Sequence, residues 1–437
     1  MKKTTFLKTL GIFFLVQATW VADFAGTPYT LEQCKQLALK NSLKIKNGEL
    51  SVDAAAETKK AAFTAFFPKI SASGNYFKSS KDIFNLEIPF MPGMSISMFD
   101  RATVLAVNIM QPLFTGGRII NGNKLANLGK QVDEKKLILT KNEILLKTEE
   151  QYWLLVTMDE KIKTLDIYSA MLDDLFKQVS DAYKYGLITR NDVLKVSVKQ
   201  SELELNKQRI KNGRHLASMA FCQLLGIEYD PGMELTDSLQ PAVEPQQYYV
   251  NNEQALKNRA EFELLQYGIR AEKLQTAIKR GEYLPEVGLG ASSFYLNAMN
   301  NDGIYNTAVF CSVSIPISGW WEASHILKEK KIKEKIAKNT LKDTSERLLL
   351  QMQKAWYELT ESYKGIALAK ALVKQAEENL KVSQDGYRQG VVNLTDLLEA
   401  QALLQQARVQ DIDSRAGNRI KLLNYLQVTG RYETRKR

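Results

Sequence analysis

Histidine and cysteine are scarce in this 437-residue chain, with two and three copies respectively. That shortage removes much of metal and nucleophilic chemistry from consideration. Cys34, Cys222 and Cys311 are odd in number and far apart, and no CxxC occurs. Neither a zinc site nor a disulfide framework is indicated. His215 and His325 each stand alone. A P-loop, a GxGxxG after a strand, a GxSxG and an HExxH are all absent, so no catalytic residue, metal or cofactor is expected. Beyond the first residues there is no run of about 18 apolar residues, which excludes helical membrane spans. Tilted membrane strands have a much weaker signal and are not excluded. A block of one charge sign is also missing. The net charge of +10 comes from 59 basic and 49 acidic residues interleaved along the chain. Such interleaving reads as solvated helix faces, not as a nucleic-acid surface.

What is present begins with Lys2, Lys3 and Lys8 followed by an apolar run from Leu10 to Val16. A basic start and a short apolar stretch predict a secretory signal peptide over 1–25, cleaved between residues 18 and 27. All ten prolines lie in 28–112 or 231–316, leaving 113–230 (118 residues) and 317–437 (121 residues) free of them. Proline in a helix interior costs about 3 kcal/mol, so these stretches permit very long helices. Ile366, Val373, Leu380 and Tyr387 recur every seven residues, as do Leu137 and Ile144, Leu145 and Tyr152, and Leu146 and Trp153. Sustained heptads with charges between them predict helices packed as coiled coils. Each stretch has one break, at 183–194 and 387–398. Gly186 and Gly390 suit the position just past a helix end, and Asn191/Asp192 or Thr395/Asp396 suit the next helix start. Each stretch is therefore a helical hairpin whose first arm is about 100 Å long.

The two breaks are 204 residues apart (390 minus 186), and the same offset carries Pro112 to Pro316, Tyr152 to Trp356, Ile162 to Ile366, Asp192 to Asp396 and Gly226 to Gly430. A constant offset over that length indicates an internal duplication. Upstream, Pro68 corresponds to Pro285 with an offset of 217, which places 13 extra residues of the first copy within the loop 78–101. Met91, Met94 and Met98 in that loop read as apolar packing rather than soft metal ligands. The expected division is repeat one over 28–230, a linker over 231–250, repeat two over 251–432 and a basic tail over 433–437. Each repeat carries a helix, two strand-like runs and a long helical hairpin. The strand runs are 69–77 with 102–111, and 286–295 with 307–316. Leu105, Val107 and Ile109 share one face of the second run, and Val309, Cys311, Val313 and Ile315 share one face of the fourth. About ten alternating residues is the length of a tilted membrane strand. Phe66, Phe67, Phe114, Trp320 and Trp321 flank the helix side, with Tyr76, Phe77, Phe294 and Tyr295 on the loop side, as two interfacial girdles. Pro68, Pro112, Pro285 and Pro316 mark the junctions of helix and strand.

Four strands cannot close a barrel, and open edges cannot persist in hydrocarbon. Membrane barrels start at about eight strands, so two copies (eight strands) or three (twelve) would have to share one. The fold expected is mainly α, with duplicated long antiparallel hairpins and four membrane strands per chain. The Tyr29-Thr-Leu-Glu-Gln opening, Gln111-Pro-Leu-Phe-Thr-Gly-Gly-Arg118 and the two Gly-x-x-x-x-x-Asp-(Val/Leu)-Leu tips resemble the TolC family of outer-membrane efflux proteins over about 28–432. That resemblance implies a homotrimer with a twelve-stranded barrel in outer-membrane lipid and a twelve-helix tunnel in the periplasm. It also implies a periplasmic adaptor and an inner-membrane pump of the RND, ABC or MFS type, serving efflux or type I secretion.

In that family the hairpin tips form the tunnel's periplasmic entrance. Asp396 and Glu399 lie one turn apart on one helix face, and Asp192 and Lys195 occupy the matching positions of the first copy, with Arg190 nearby. A ring of carboxylates favours cations. The expectation is that Asp396 and Glu399 form the constriction, and that Arg190 or Lys195 ties adjacent hairpins when closed. The plainer alternative is that Asp192 and Asp396 only cap helices. Gly186, Leu187, Gly390 and Val391 are the expected adaptor contacts. A soluble periplasmic adaptor or a coiled-coil scaffold is the rival reading. One hairpin between β-rich domains would suit the adaptor, and absence of girdled strands would suit the scaffold.

Overall fold

The computed structural model describes residues 28–81, 84–87, 90, 95–98, 100–239, 241–298 and 303–432. The expected signal segment, Met91, Met94 and the 433–437 tail lie outside the described residues. The chain opens with α1 (Leu31–Asn41), started by a reciprocal capping box. Thr30 Oγ1 accepts from the Gln33 N–H at 3.2 Å, and Gln33 Oε1 accepts from the Thr30 N–H at 2.9 Å. This is the physical content of the Tyr-Thr-Leu-Glu-Gln motif. Ser42 ends α1 and caps α2 (Leu43–Phe63), so two helices stand where one was expected. Then follow β1 (Lys69–Lys78), a small hairpin of β2 (Phe84–Glu87) and β3 (Ser95–Met98), β4 (Arg101–Thr115), α3 (Arg118–Lys184) and α4 (Arg190–Leu225). The second half contributes α5 (Asn252–Lys257), α6 (Ala260–Gly281), β5 (Glu286–Ala298), β6 (Ile304–Ser314), α7 (Gly319–Arg388) and α8 (Leu394–Val428). Absence of proline lets α3 and α7 run unbroken for 67 and 70 residues.

The long helices form a layer with a consistent order. The first half of α3 lies between α2 and α6, held by pairs such as Lys141–Glu49 and Lys135–Glu263. Its second half lies between α4 and α8, with Lys207–Asp166 and Lys161–Asp413 across those seams. Helix α7 packs on α6 and then on α8. The heptad residues face inward: Leu165, Leu172, Leu175, Val179, Val196, Leu380, Leu397 and Leu404 form one buried cluster at the hairpin ends.

All four long strands form one antiparallel sheet in the order β1-β4-β5-β6. The register puts Ile70, Ala72 and Tyr76 beside Ile109, Val107 and Thr103. It puts Leu105 beside Tyr295, Leu289 beside Cys311, and Val313 beside Val287. Since side chains alternate across a sheet, Ile70, Leu105, Val107, Ile109, Leu289, Val309, Cys311 and Val313 share one face. That face is apolar and exposed. The opposite face carries Ser71, Ser73, Asn75, Asn108, Ser292 and Asn306, with Ser292 Oγ donating to Asn108 Oδ1 at 2.7 Å.

Several expectations need correction. The loop 78–101 contains the β2–β3 hairpin. Strand β4 continues through Pro112 to Thr115 by way of a bulge between Pro112 and Phe114, so Pro112 lies within a strand and not at a junction. The bulge is what admits proline there. Strand β6 ends at Ser314, which leaves Ile315 outside it; Pro316 falls between β6 and α7, and Pro68 and Pro285 immediately precede β1 and β5. Phe77 and Phe294 lie one residue out of phase with Tyr76 and Tyr295, and so on the polar face. The apolar face instead gains Tyr305, stacked on Tyr295 with ring centroids 4.7 Å apart. At the helix side Phe63, Phe66 and Phe67 cluster, Phe114 and Trp320 are exposed, and Trp321 is 81% exposed.

The Gln111–Arg118 motif stitches this sheet to the helices. Gln111 Nε2 donates to Phe66 O at 3.0 Å, and Arg118 pairs with Glu286 at the start of β5. Gly116 has a φ of +61°, and a β-carbon on the facing Gly281 would lie 2.6 Å from the Gly116 carbonyl oxygen. Only glycine on both sides permits that approach.

A second junction sits halfway along α3. Glu149 is 2% exposed. It pairs with Lys35 of α1 and Arg419 of α8, and accepts from Trp153 Nε1 at 3.4 Å and Tyr432 Oη at 3.1 Å. Burial alone would raise its pKa, but the charge and hydrogen bond of Lys35, with Arg419, hold it below the ordinary 4.5. Nearby, Tyr152 Oη donates to Asp237 Oδ2 at 2.7 Å, which also accepts from the Leu31 N–H at 3.0 Å. Glu149→Gln strands two cations in a poorly solvated site, and we expect a loss of about 2–3 kcal/mol in denaturant unfolding. Because the folded pKa is depressed, the stability Glu149 contributes is complete above about pH 5 and lost as pH falls through the folded value. Acid titration of unfolding in the wild type and in Glu149→Gln checks this: the variant should show the shallower decline below about pH 4.5.

Candidate functional site

Both hairpins turn by the same backbone device. Helix α3 ends at Lys184, Gly186 adopts φ +74°, and Leu187 N–H and Gly186 N–H donate to Ala182 O and Tyr183 O, each at 2.9 Å. Helix α7 ends at Arg388, Gly390 adopts φ +75°, and Val391 N–H and Gly390 N–H donate to Gly386 O (2.9 Å) and Tyr387 O (3.1 Å). These paired bonds satisfy the last carbonyls of each helix and require a left-handed residue. The residue after each glycine is thrown outward: Leu187 is 76% and Val391 80% exposed.

The return helices start earlier than Asn191/Asp192 and Thr395/Asp396 suggested. Their caps are Thr189 and Asn393, and Asp192 and Asp396 occupy the third helical position. Asp192 Oδ2 accepts from Thr189 Oγ1 at 2.8 Å and from the Thr189 N–H at 3.4 Å. The Thr189 hydrogen bond, helped by Lys195, holds the Asp192 carboxyl below its usual range. Asp396 N–H donates to Asn393 Oδ1 at 3.0 Å, and Asn393 Nδ2 donates to Asp396 Oδ2 at 2.9 Å. Each aspartate thus completes a capping arrangement of its own helix.

Lys195 joins the hairpins. Its Nζ lies 3.4 Å from Asp192 Oδ1 and 3.2 Å from Thr395 Oγ1, bridging α4 to α8 within one chain. Arg190, the first residue of α4, is exposed. A groove of about 530 Å³ runs beside this bridge, floored by Leu194, Val198, Leu398 and Ala402 and rimmed by Lys195, Lys199 and Glu399. The structure therefore gathers Asp192, Lys195, Asp396 and Glu399 at one end of the molecule, with Gly186, Leu187, Gly390 and Val391 beyond them.

The residues sequence reasoning missed are Glu149 and its partners. Leu145, Glu149, Tyr152, Trp153 and Val156 lie on one buried stripe, and a carboxylate at stripe spacing was the available signal. Thiol chemistry finds no support in the core: burial pushes the Cys34 thiol up to about 12, well outside the range of reactive cysteines.

Long helical hairpins carrying a girdled four-stranded sheet, with paired ends at the far pole, define the architecture of outer-membrane channels. The family profile described as "Outer membrane efflux protein" matches residues 35–226 and 252–431. The chain belongs to that family, whose members are efflux channels. Among solved structures, the outer membrane protein VceC of Vibrio cholerae matches at 15% identity with a TM-score of 0.78, covering 92% of this chain and 96% of that one. The CmeC outer membrane channel of Campylobacter jejuni matches at 14% identity with a TM-score of 0.79, covering 92% and 86%. The MtrE outer membrane channel of Neisseria gonorrhoeae, in an open state, matches at 13% identity with a TM-score of 0.74, covering 92% and 89%. A search of curated sequences found no match.

Gly390 has open space around a would-be β-carbon, so its substitution tests backbone strain alone. Gly390→Ala should destabilise the tip by about 1 kcal/mol, and Gly390→Asn by less. Hydrogen exchange of the Val391 and Gly390 amides measures both; equal protection in Gly390→Ala and wild type would contradict the strain.

Proposed function

We propose that this protein is the outer-membrane exit duct of a tripartite efflux or type I secretion machine. The observation that carries the reading is the sheet: its apolar face is exposed and girdled by aromatics, while β1 and β6 leave a hydrogen-bonding edge open on each side. In hydrocarbon each open edge must find a strand. Three chains pairing β6 of one with β1 of the next give a closed twelve-stranded barrel in the outer membrane, with the apolar face toward lipid and the Ser/Asn face toward the lumen. The same ring sets α7 against α2 and α4 of its neighbour and builds a periplasmic tunnel. The two repeats, 28–230 and 251–432, then each supply half of a subunit's wall, with 231–250 as linker and a cleaved signal peptide ahead of them.

Cargo enters from an inner-membrane pump through a periplasmic adaptor that docks at Gly186, Leu187, Gly390 and Val391. Their glycine-led turns and protruding Leu187 and Val391 support this assignment. Asp396 and Glu399, both exposed on one face of α8, repeat three times about the axis and form the cation-favouring constriction. Lys195, held to Thr395, keeps the hairpins together in the closed state, with Arg190 beside it. A soluble adaptor or scaffold is disfavoured by the two strand pairs and their girdles.

In planar bilayers, Asp396→Ala with Glu399→Ala should raise single-channel conductance and reduce preference for cations; unchanged conductance and selectivity would remove the gate from these residues. Gly390→Trp should abolish export while the amount of membrane-inserted protein stays the same.

A further inference from the structure

One corner of the sheet's apolar face carries charge. Lys78 of β1 stands directly opposite Arg101 of β4 on the outermost rung of that pair, with Tyr76 and Thr103, then Gly74 and Leu105, on the next same-face rungs. Strand alternation therefore puts both cations on the apolar face, and both are exposed. Like charges directly opposite one another in antiparallel strands are destabilising. Arg101 Nε has one carboxylate contact, Asp100 Oδ1 at 3.2 Å, between side chains 47% and 39% exposed. Such a pair contributes little. Among the described residues Lys78 has no carboxylate partner, so the rung holds two cations against one carboxylate.

Further along the strands the same face is hollow. The register lines up Gly74, Leu105, Tyr295 and Tyr305 across all four strands, with Ala72 and Val107 on the following same-face rung. These six residues border an open groove of about 460 Å³. On β1 the small Ala72 and Gly74 leave it unfilled, and Leu105 Cδ2 would lie 3.1 Å from a β-carbon on Gly74. Four residues separate Gly74 from Lys78, about 13 Å along a strand. Between groove and cations lies Tyr76, 66% exposed, an aromatic suited to headgroup level.

We propose that this corner binds one phosphate-bearing acyl lipid of the outward leaflet, its phosphate bridging Lys78 and Arg101 and an acyl chain lying in the groove. The inference rests on the proposed placement of the sheet in the outer membrane, with its loop end outward. Guanidinium meets phosphate with paired donors and ammonium meets it as a point charge. The bridging anion relieves the repulsion across the rung. Free phosphate would occupy the cations alone, and a neutral detergent tail the groove alone. A lipid with a headgroup phosphate occupies both.

The test titrates the full chain, purified from membranes in a non-ionic detergent, with diphosphoryl lipid A and reads binding by native mass spectrometry. Lys78→Gln with Arg101→Gln should weaken binding by roughly tenfold to thirtyfold. Ala72→Phe, which fills the groove, keeps both cations and suits a lipid-facing strand, should weaken it severalfold. Asp100→Asn, which removes the competing carboxylate, should tighten it, a gain that damage to the fold does not produce. Inorganic phosphate at the same concentration should leave the lipid bound. Affinity of the double variant within about twofold of wild type, or displacement by inorganic phosphate, overturns the site. Urea extraction of membranes separates the two readings. A wild-type chain stripped by urea overturns the membrane placement and this site together, whereas a urea-resistant chain that binds no better than the double variant overturns the site alone.

Discussion

Unpaired backbone groups along β1 and β6 govern the rest of the molecule. A sheet of four strands with an exposed apolar face is unstable in water and incomplete in lipid, because every edge N–H and C=O needs a partner where no water reaches. The same edges sit directly above the open flanks of the helix layer, α2 and α4 on one side and α7 on the other. Whatever satisfies the strand edges therefore also brings helix flank to helix flank. The long helices reach about 100 Å from the sheet, and within one chain their far ends already meet through the buried leucine cluster and the Lys195–Thr395 contact.

Two joints keep that geometry rigid between the sheet and the tips. At the sheet, the Gly116–Gly281 contact and the Arg118–Glu286 pair lock the start of α3 against the end of α6 and the start of β5. Midway down, Glu149 gathers α1, α3, α8 and the C-terminal Tyr432 around one buried carboxylate. Removing water from Glu149 is costly, and four cationic or polar partners offset it. By contrast, most ion pairs along the helix seams are exposed and contribute little singly. Register along those seams comes from the heptad core.

Much of this architecture was legible because it depends on local rules. Proline-free stretches and seven-residue spacing gave α3 and α7 almost to their ends, and a left-handed residue was required where Gly186 and Gly390 stand. Parity within a strand placed Leu105, Val107 and Ile109 together with Val309, Cys311 and Val313. What was not legible depends on pairing between distant segments. Phe77 and Phe294 could be assigned to a girdle only by counting residues, and the register then set them on the polar face. The bulge that lets β4 run through Pro112 is created by its partner β5. Thr189 and Asn393, not the aspartates after them, are the caps: Asp192 closes a reciprocal box with Thr189, and Asp396 accepts from the Asn393 side-chain amide. Glu149 looked like one more charge among many until its neighbours on α1 and α8 were in place.

The most direct test of the shared sheet is to place cysteines in pairs along β1 and β6 in a Cys311→Ser background and to oxidise the membrane-inserted protein. The account predicts covalent dimers and closed trimers on denaturing gels, with crosslinking alternating along the strand as side chains alternate between faces. Pairs that link only within one chain, or that never link, would mean that the two edges are not joined between subunits.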